Sequence, residues 1–383
     1  MTKSLYWELS RFYYFYYAFV GLFTPYWGLY LTSLEFTPIQ IGMLLAFFQL
    51  GRVISPNLWG WLADHTAKRS YWIKVTALAG ALFFIYSFCA ESFLQILFVM
   101  MAMSIFTSST IPLMESLTLS HLSTNKGDFS YSKIRVWGSI GFICAAVIMG
   151  YCIDFLGIGT LIIALLLIQF FIYFQSLRIP EHNAVSLTTI RRPIFDVIRN
   201  PEVIAIIIGC TLMVSSHGLL YNFYSIYLKT FDYSSMVIGA LWAVGVVCEI
   251  IIFLLMPKIL KFLDLKQVIL VSLILAVLRF FLIGLYADTL WILVFAQTLH
   301  AATFGSFHVA SVQIIEYFFN KEHHARGQSL YNSITYGVGG VVGGILGGVL
   351  IEYLGYSATF TLSALLPLAG IAIFYYGLKN YPK

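Results

Sequence analysis

Long apolar segments separated by short loops make up nearly the whole chain, and the loops hold most of its charged residues. Only 10% of the residues are Asp, Glu, Lys or Arg, whereas 60% are apolar. A soluble surface needs far more ionised groups, so lipid must cover most of this protein. The segments are too long and too uniformly apolar for the alternating strands of a membrane barrel, which leaves an all-α integral membrane protein.

Charged and turn-forming residues divide the chain into about twelve predicted helices, each long enough to cross ~30 Å of hydrocarbon. The predicted helices run over residues 7–33, 39–62, 71–90, 93–121, 131–155, 158–178, 201–229, 235–259, 266–286, 290–319, 327–353 and 356–378. The start of the chain lacks a small-residue cleavage site, so we expect the first of these helices to be retained.

One stretch interrupts this pattern. Hydrophobicity falls between Arg178 and Asn200, where prolines and arginines accumulate. The sequence therefore predicts an N-terminal six-helix bundle over 1–178, a cytoplasmic linker over 179–200 and a C-terminal six-helix bundle over 201–383. Two equal bundles with a connector are typical of an alternating-access transporter, whose substrate site is expected between the halves near the membrane midplane.

Glycines recur every fourth residue in the predicted eleventh helix. They form two rows: Gly339, Gly343 and Gly347, and Gly340, Gly344 and Gly348. Such a face allows the backbones of two helices to approach closely. We interpret it as packing between helices and, further, as a moving contact between the two halves.

Lysine and arginine predict the orientation in the membrane. If the N-terminus is cytoplasmic, the cytoplasmic loops hold Lys3, Lys68, Arg69, Lys74, Lys126, Lys133, Arg178, Arg191, Arg192, Arg199, Lys258, Lys261, Lys266, Lys321, Arg326, Lys379 and Lys383. The opposite side holds only Lys229, together with Glu35, Glu91, Asp154, Asp232, Asp288 and Glu352. The positive-inside rule then predicts a multi-pass protein of the cell (inner) membrane with both termini in the cytoplasm.

The net charge of +5 reflects this topology and does not indicate nucleic-acid binding. All five cysteines lie in apolar segments without metal-ligand spacing, so we expect packed thiols and no metal site. The expected partners are a small-molecule substrate, a proton and the lipid bilayer. We expect no cofactor besides the proton gradient, and a monomer, because one chain supplies both halves.

After the second predicted helix the chain reads Gly60-Trp61-Leu62-Ala63-Asp64-His65-Thr66-Ala67-Lys68-Arg69. This resembles the G-x-L-a-D-[RH]-x-x-[KR]-[RK] loop of the major facilitator superfamily, which implies the major facilitator fold. Gly60 would permit a tight helix contact, and Asp64 would accept hydrogen bonds or favour a helix N-terminus. Lys68 and Arg69 would hold this conformational loop at the anionic cytoplasmic face.

A closer resemblance covers most of the chain. Pro112-Leu113-Met114-Glu115 and Phe129 to Gly138 look like the segments of lactose permease whose Glu and second Arg hold the sugar. The pattern of Arg135-Val136-Trp137-Gly138-Ser139, His217, Gly245-Val246-Val247, Glu249-x-Ile251-Ile252-Phe253, Arg279 and Thr298-Leu299-His300 resembles the phenylpropionic acid permease group. That group belongs to the lactose/nucleoside–proton symporter branch.

Glu115 and Arg135 are ionisable residues inside predicted spans, where charges are costly and mark a transport pathway by default. They can pair only if both point into the bundle. We favour an acceptor and a donor for a polar substrate over a purely structural ion pair, because the resemblance to lactose permease places both at its sugar site.

Glu249 is the predicted proton carrier, because an apolar environment favours the uncharged form of a carboxyl group. The alternative is a permanent salt bridge to Arg279 or Arg135. Arg279 would bind a substrate carboxylate or tune Glu249. His300 matches a histidine of the coupling cluster in lactose permease, and His308 lies on roughly the same helix face, so both are candidates for proton coupling.

Aromatic residues complete the predicted substrate site. The resemblance puts Phe142, with Trp137 nearby, where lactose permease stacks its sugar. Tyr17 belongs to an unusually aromatic first helix, part of which could stack on a ring. The sequence departs from lactose permease elsewhere: an essential Glu corresponds to Thr303 and a Lys to Gln297, and the coupling Glu falls near Val246, so the proton site has moved.

These observations predict a proton-coupled symporter that imports a small organic solute, first of all a phenylpropionate-like aromatic acid. An oligosaccharide or a nucleoside is the alternative substrate, because Glu115 beside Arg135 partly cancels the charge that an anion needs. Export of amphipathic compounds is a further alternative. An intramembrane enzyme is disfavoured, because the sequence shows no metal motif, nucleophile turn or phosphate loop.

Overall fold

The computed structural model describes residues 2–123, 130–182, 197, 199–319 and 324–378. Most of the predicted linker at 179–200 therefore lies outside the described residues. The same holds for several basic residues behind the predicted orientation: Lys126, Arg191, Arg192, Lys321, Lys379 and Lys383.

Helices account for nearly all of the described chain. They are α1 Lys3–Ser33, α2 Pro38–Thr66, α3 Arg69–Phe88, α4 Phe93–Ser123, α5 Tyr131–Leu156, α6 Thr160–Leu177, α7 Pro201–Lys229, α8 Ser235–Ile259, α9 Leu265–Leu285, α10 Leu290–Phe318, α11 Gly327–Leu354 and α12 Tyr356–Gly377. Within the described residues, the helices α2 to α12 are long and apolar enough to cross a membrane. The all-α membrane fold predicted from the sequence is confirmed.

The first helix is the least apolar span, since it carries Lys3, Glu8, Arg11 and many tyrosines. Its 31 residues are nevertheless enough to cross the bilayer, and it completes the set of twelve. Thr2 caps the start of α1 by accepting a hydrogen bond from the Leu5 backbone. The cap satisfies one of the unpaired donors that every helix start exposes.

Two helices change their winding within the membrane. In α10 the residues Ala301–Ser306 are π-helical, and in α11 the residues Asn332–Val338 are π-helical. Such wide turns are rare and occur frequently at functional sites. In α10, the predicted proton-coupling residues lie next to this turn: His300 directly precedes it and His308 follows it.

Glycines set the contact between α1 and α5. A Cβ atom at Gly21 would collide with the Phe142 backbone, and one at Gly141 would collide with the Tyr14 backbone. The two backbones therefore touch at two levels, as small residues allow in membranes. This close crossing brings Tyr17 of α1 next to α5, where a Cβ at Gly138 would meet the Tyr17 ring.

The glycine face of α11 packs against α7. A Cβ at Gly343 would strike the Ser215 backbone, and one at Gly347 would press on Leu219. Both helices belong to the C-terminal part of the chain. The interpretation of this row of glycines as a moving contact between the halves is therefore wrong, because its partner helix lies in the same half.

Backbone contacts group the chain into two compact units. The first unit is Met1–Leu187 with Tyr233–Ala243, and the second unit is Thr188–Asp232 with Val244–Lys383. Asp154 explains why the start of α8 belongs to the first unit, because its carboxylate accepts hydrogen bonds from the Ser235 and Met236 backbones at 2.7 and 2.9 Å. The predicted bundle boundaries stay a prediction.

Candidate functional site

A buried arginine organises the polar centre of the second unit. Arg279 of α9 is 1% exposed and donates to Gln297 Oε1 at 3.0 Å, His300 Nδ1 at 3.1 Å and Thr303 Oγ1 at 3.1 Å. His217 Nε2 of α7 lies 3.4 Å from the same guanidinium nitrogen that contacts His300 and Thr303. Neutral acceptors thus surround the cation, and these five residues are called the Arg279 cluster below.

The hydrogen bonds assign the protonation of both histidines. His300 Nδ1 must accept, because a guanidinium only donates, so in the neutral ring the proton resides on Nε2. His217 Nδ1 lies 3.0 Å from the Met213 carbonyl and must donate, which leaves its Nε2 as an acceptor. The Thr303 hydroxyl accepts a hydrogen bond from Arg279 and donates one to His217 Nε2 at 3.2 Å.

Glu249 of α8 approaches this cluster from one side. Its Oε2 lies 3.7 Å from His300 Nε2, the nitrogen that carries the proton, and its side chain is 18% exposed. His300 therefore stands between the carboxylate and Arg279. An imidazole thus lies between Glu249 and Arg279, the two residues for which a salt bridge was the alternative prediction.

The cluster leaves two buried donors without a partner among the described residues. They are Arg279 Nε and Gln297 Nε2. An unpaired donor in a low-dielectric interior carries a desolvation cost, and a native structure usually keeps one for a purpose. Both donors could serve an incoming anion or carbonyl oxygen.

His308 lies outside the Arg279 cluster. Its Nδ1 is hydrogen-bonded to the Tyr336 hydroxyl at 2.8 Å. Tyr336 belongs to the π-helical part of α11. The Phe304 ring stacks between the two histidines, with its centroid 5.3 Å from His300 and 6.1 Å from His308. The predicted shared face is thus present, but an apolar ring interrupts it.

Arg135 of α5 occupies a different environment in the first unit. Its guanidinium carbon lies 3.7 Å from the centroid of the Tyr17 ring of α1, which is a close cation–π contact. Both side chains are only half buried. The aromatic ring attracts this cation electrostatically. Because the ring accepts no conventional hydrogen bond, the five N–H donors of the guanidinium can still bind a polar ligand.

Glu115 of α4 accepts a hydrogen bond from the Tyr131 hydroxyl at 2.9 Å. Glu115 and Arg135 therefore have different partners here. The Glu115 carboxylate is an acceptor beside the Tyr131 ring, which packs edge-to-face against Tyr13. Tyr13 itself reaches Thr118 at 3.4 Å.

The two remaining predicted aromatic residues have separate surroundings. Phe142 is buried and presents its backbone to Gly21 of α1. Trp137 lies one and a half turns earlier in α5, against Trp7, with its indole nitrogen 3.3 Å from the Tyr6 hydroxyl. The structure does not bring Trp137 to Arg135 and Tyr17, since its ring belongs to a cluster at the start of α1.

At the junction of α2 and α3, Asp64 in the last turn of α2 pairs with Arg69 at the start of α3 at 3.0 Å. Ala67 ends α2 with a left-handed backbone, φ 54°, and Lys68 precedes α3 with its side chain exposed. Among the described residues, no heavy atom lies within 4 Å of a Cβ placed at Gly60. The tight helix contact predicted at Gly60 is therefore not made in this conformation.

Sequence reasoning left three members of the Arg279 cluster out of the predicted site: His217, Gln297 and Thr303. The spacing of Gln297, His300 and Thr303 at three residues along α10 was a usable signal, because residues three apart lie on neighbouring positions of a helix surface. Nothing local linked His217 to them. Arg52, a further ionisable residue of α2, is exposed and contacts Gln49 at 3.2 Å.

Twelve long helices over the described residues, with arginine, histidine and glutamate inside the membrane spans, define the class of polytopic membrane transporters. The model of the MFS_1-like family matches residues 6–362 of the chain. The chain therefore belongs to the MFS_1-like family of major facilitator transporters.

Particular relatives agree with this assignment. The probable 3-phenylpropionic acid transporter of Escherichia coli (strain K12) is 27% identical over 93% of each chain. The xanthosine permease of Escherichia coli (strain K12) is 25% identical over 91% of this chain and 90% of its own. The solved structure of the nucleoside transporter NupG superposes with a TM-score of 0.88 at 20% identity, covering 98% of this chain and 99% of that one, which shows a common fold.

Proposed function

We propose that this transporter is a proton-coupled symporter that imports a small organic solute by alternating access. The proposed setting is the bacterial inner membrane, with both termini in the cytoplasm. The driving force is the proton gradient without a further cofactor, the partners are solute, proton and lipid, and the working unit is a monomer.

The observation that carries the proposal is the ordering of Glu249, His300 and Arg279. Arg279 is hydrogen-bonded to neutral acceptors, one of which is His300, and Glu249 lies on the other side of the His300 ring. His300 cannot take a proton on Nδ1 without losing the hydrogen bond from Arg279. Glu249 is then the group that binds and releases the transported proton, and His300 positions it.

Coupling follows from the cost of charge in the membrane. With Glu249 ionised, its attraction to the Arg279 cluster holds α8 and α10 together through His300. With Glu249 protonated, this attraction is lost, and the carboxyl group no longer carries a charge that opposes movement through an apolar environment. Substrate binding that favours the protonated form would tie the movement of the solute to that of the proton.

An aromatic monocarboxylate is the first proposed substrate. The Arg135 guanidinium over Tyr17, and the unpartnered Nε of Arg279, are cationic donors suited to a carboxylate. The half-buried Tyr17 ring gives an aromatic solute a stacking surface. The relative described as a probable 3-phenylpropionic acid transporter supports this substrate class.

A nucleoside is the second candidate, with an oligosaccharide in the same polar class. It is favoured by the Glu115–Tyr131 pair, because the Glu115 carboxylate accepts hydrogen bonds from a hydroxyl-rich solute and repels an anion. A xanthosine permease and the NupG nucleoside transporter are among the similar proteins.

The test uses de-energised cells in weak buffer, with the external pH recorded on addition of phenylpropionate, xanthosine or a galactoside. The proposal predicts alkalinisation with one class only, and its loss in Glu249→Gln. The matched control is Glu91→Gln, since Glu91 lies exposed in the loop before α4. Uptake of labelled solute without any pH change in the unaltered protein would contradict proton coupling.

A further inference from the structure

A cleft of about 620 Å³ opens on the first unit, away from the polar groups described above. It is lined by Trp7, Ser10, Arg11, Tyr14 and Phe15 of α1, Trp137 of α5 and Gln175 of α6. The symport proposal gives this cleft no role, and Trp137 is the one lining residue that the resemblance assigned to the substrate site.

The cleft lies on a different face of α1 from the contacts with Thr118 and Arg135. Trp7, Arg11 and Tyr14 share one helix face because they are spaced by three or four residues. Tyr13 and Tyr17 lie about 100° round the helix from the centre of that face, since each residue turns the helix by about 100°. Tyr13 and Tyr17 contact Thr118 and Arg135, neither of which lines the cleft.

The cleft sits near one membrane surface. Arg11 lies eight residues after the start of α1 and Trp137 six after the start of α5, which places them about 12 Å and about 9 Å from those ends. Gln175 lies two residues before the end of α6. Since α1 and α5 begin on the side where α6 ends, these residues share the depth of the headgroup boundary, where Trp is enriched.

The cleft contains polar groups that have no hydrogen-bond or ion-pair partner among the described residues. Arg11 is exposed, and within the described chain its guanidinium has no carboxylate partner. Ser10 Oγ and Gln175 Oε1 are buried without any hydrogen-bond partner among the described residues, and their residues are 1% and 9% exposed. A cation, a hydroxyl and a carbonyl oxygen together match a phosphate that carries a hydroxyl group nearby.

The rim of the cleft is apolar. Phe15 stacks on Phe171 of α6 at 5.1 Å, and Phe171 and Phe174 expose about half of their surface. Hydrocarbon chains can therefore leave the cleft along α6. We propose that this cleft binds one anionic phospholipid of the phosphatidylglycerol type, with its phosphate on Arg11 and Ser10 and its headgroup hydroxyls on Gln175.

The experiment is native mass spectrometry of the full-length protein in neutral detergent, titrated with phosphatidylglycerol or with phosphatidylcholine of the same acyl chains. We expect a single saturable adduct with phosphatidylglycerol. Arg11→Gln should weaken it about five-fold, the contribution of one basic residue near an anionic lipid surface. Arg11→Lys, which keeps the charge, should restore most of the binding.

The matched control is Arg178→Gln, because Arg178 is an exposed cation at the same end of α6 that does not line the cleft. Equal binding of both lipids, an equal effect of the two glutamine substitutions, or displacement of the lipid by inorganic phosphate would each overturn the proposal. The measurement does not depend on transport, so it tests the lipid site independently of the proposed proton symport.

Discussion

The two units handle an intramembrane arginine in opposite ways. Arg279 of the second unit is sealed from solvent and bonded to four neutral polar side chains. Arg135 of the first unit is half buried and rests on the face of Tyr17. The first arrangement fixes a charge inside the protein, whereas the second leaves a charge ready to exchange a weak contact for a ligand.

The difference follows from hydrogen-bond accounting. A desolvated guanidinium must find acceptors inside the protein, and removal of the cation leaves those acceptors unsatisfied. A guanidinium over a ring gains only a modest electrostatic attraction and keeps water or substrate as further partners. Under the proposed function, the second unit provides coupling and the first unit provides substrate contact.

Removal of the buried cation should have the largest effect. Arg279→Met leaves Gln297, His300 and Thr303 without their donor, so we expect destabilisation by about 3 kcal/mol or more. Thermal unfolding of the purified protein in detergent measures it, with Arg135→Met as the comparison. If both variants unfold at the same temperature, the proposed contrast between the units fails.

Glu249→Gln should abolish proton-driven accumulation while leaving the fold intact, since the amide keeps the volume and polarity of the carboxyl group but cannot titrate. Labelled solute should still equilibrate and exchange across the membrane. The measurement is uptake against a gradient, compared with exchange without one, in the same vesicles. Retained accumulation would move the proton site away from Glu249.

The tight crossing of α1 and α5 predicts the next effect. Gly141→Ala forces the two backbones apart, which should cost about 1–3 kcal/mol through overpacking and displace Tyr17 from Arg135. Gly60→Ala is the matched control, because a Cβ at Gly60 meets open space. Unfolding temperature and substrate affinity should both fall for Gly141→Ala and remain unchanged for Gly60→Ala.

Tyr17→Ala should have a smaller effect, confined to the first unit. The lost cation–π contact contributes about 0.5–1 kcal/mol at an exposed site, which corresponds to a change in substrate affinity of roughly two- to five-fold. Binding of the substrate by isothermal titration calorimetry checks this. Tyr17→Phe, which keeps the ring, should retain the affinity; an equal loss in both variants would show that the hydroxyl group matters instead.

Asp64→Asn should change stability least, by about 0–1 kcal/mol, because the Asp64–Arg69 pair lies at the surface. Any larger effect must come from transport kinetics. A rate of solute exchange that falls several-fold at unchanged unfolding temperature would support the conformational role predicted for this loop. An unchanged exchange rate would reduce the pair to a surface contact.

The sequence located most of the polar centre of the second unit but could not assemble it. Glu249, Arg279 and His300 stand out because ionisable and imidazole groups are rare in apolar spans. His217 and Thr303 do not, since Thr is ordinary in membrane helices and a lone His indicates no partner. Their role depends on how α7, α9 and α10 are rotated about their axes, which hydropathy does not specify.

The sequence by itself determined the number of membrane helices, their bounds to within about four residues, the family-defining loop and the rarity of buried charge. These properties are local, because each apolar segment must cross the bilayer whatever surrounds it. Only the tertiary structure decided which side chains meet. It placed His300 between Glu249 and Arg279, gave Arg135 an aromatic partner and directed the α11 glycines to α7, because helix rotation and close packing depend on residues far apart in the chain.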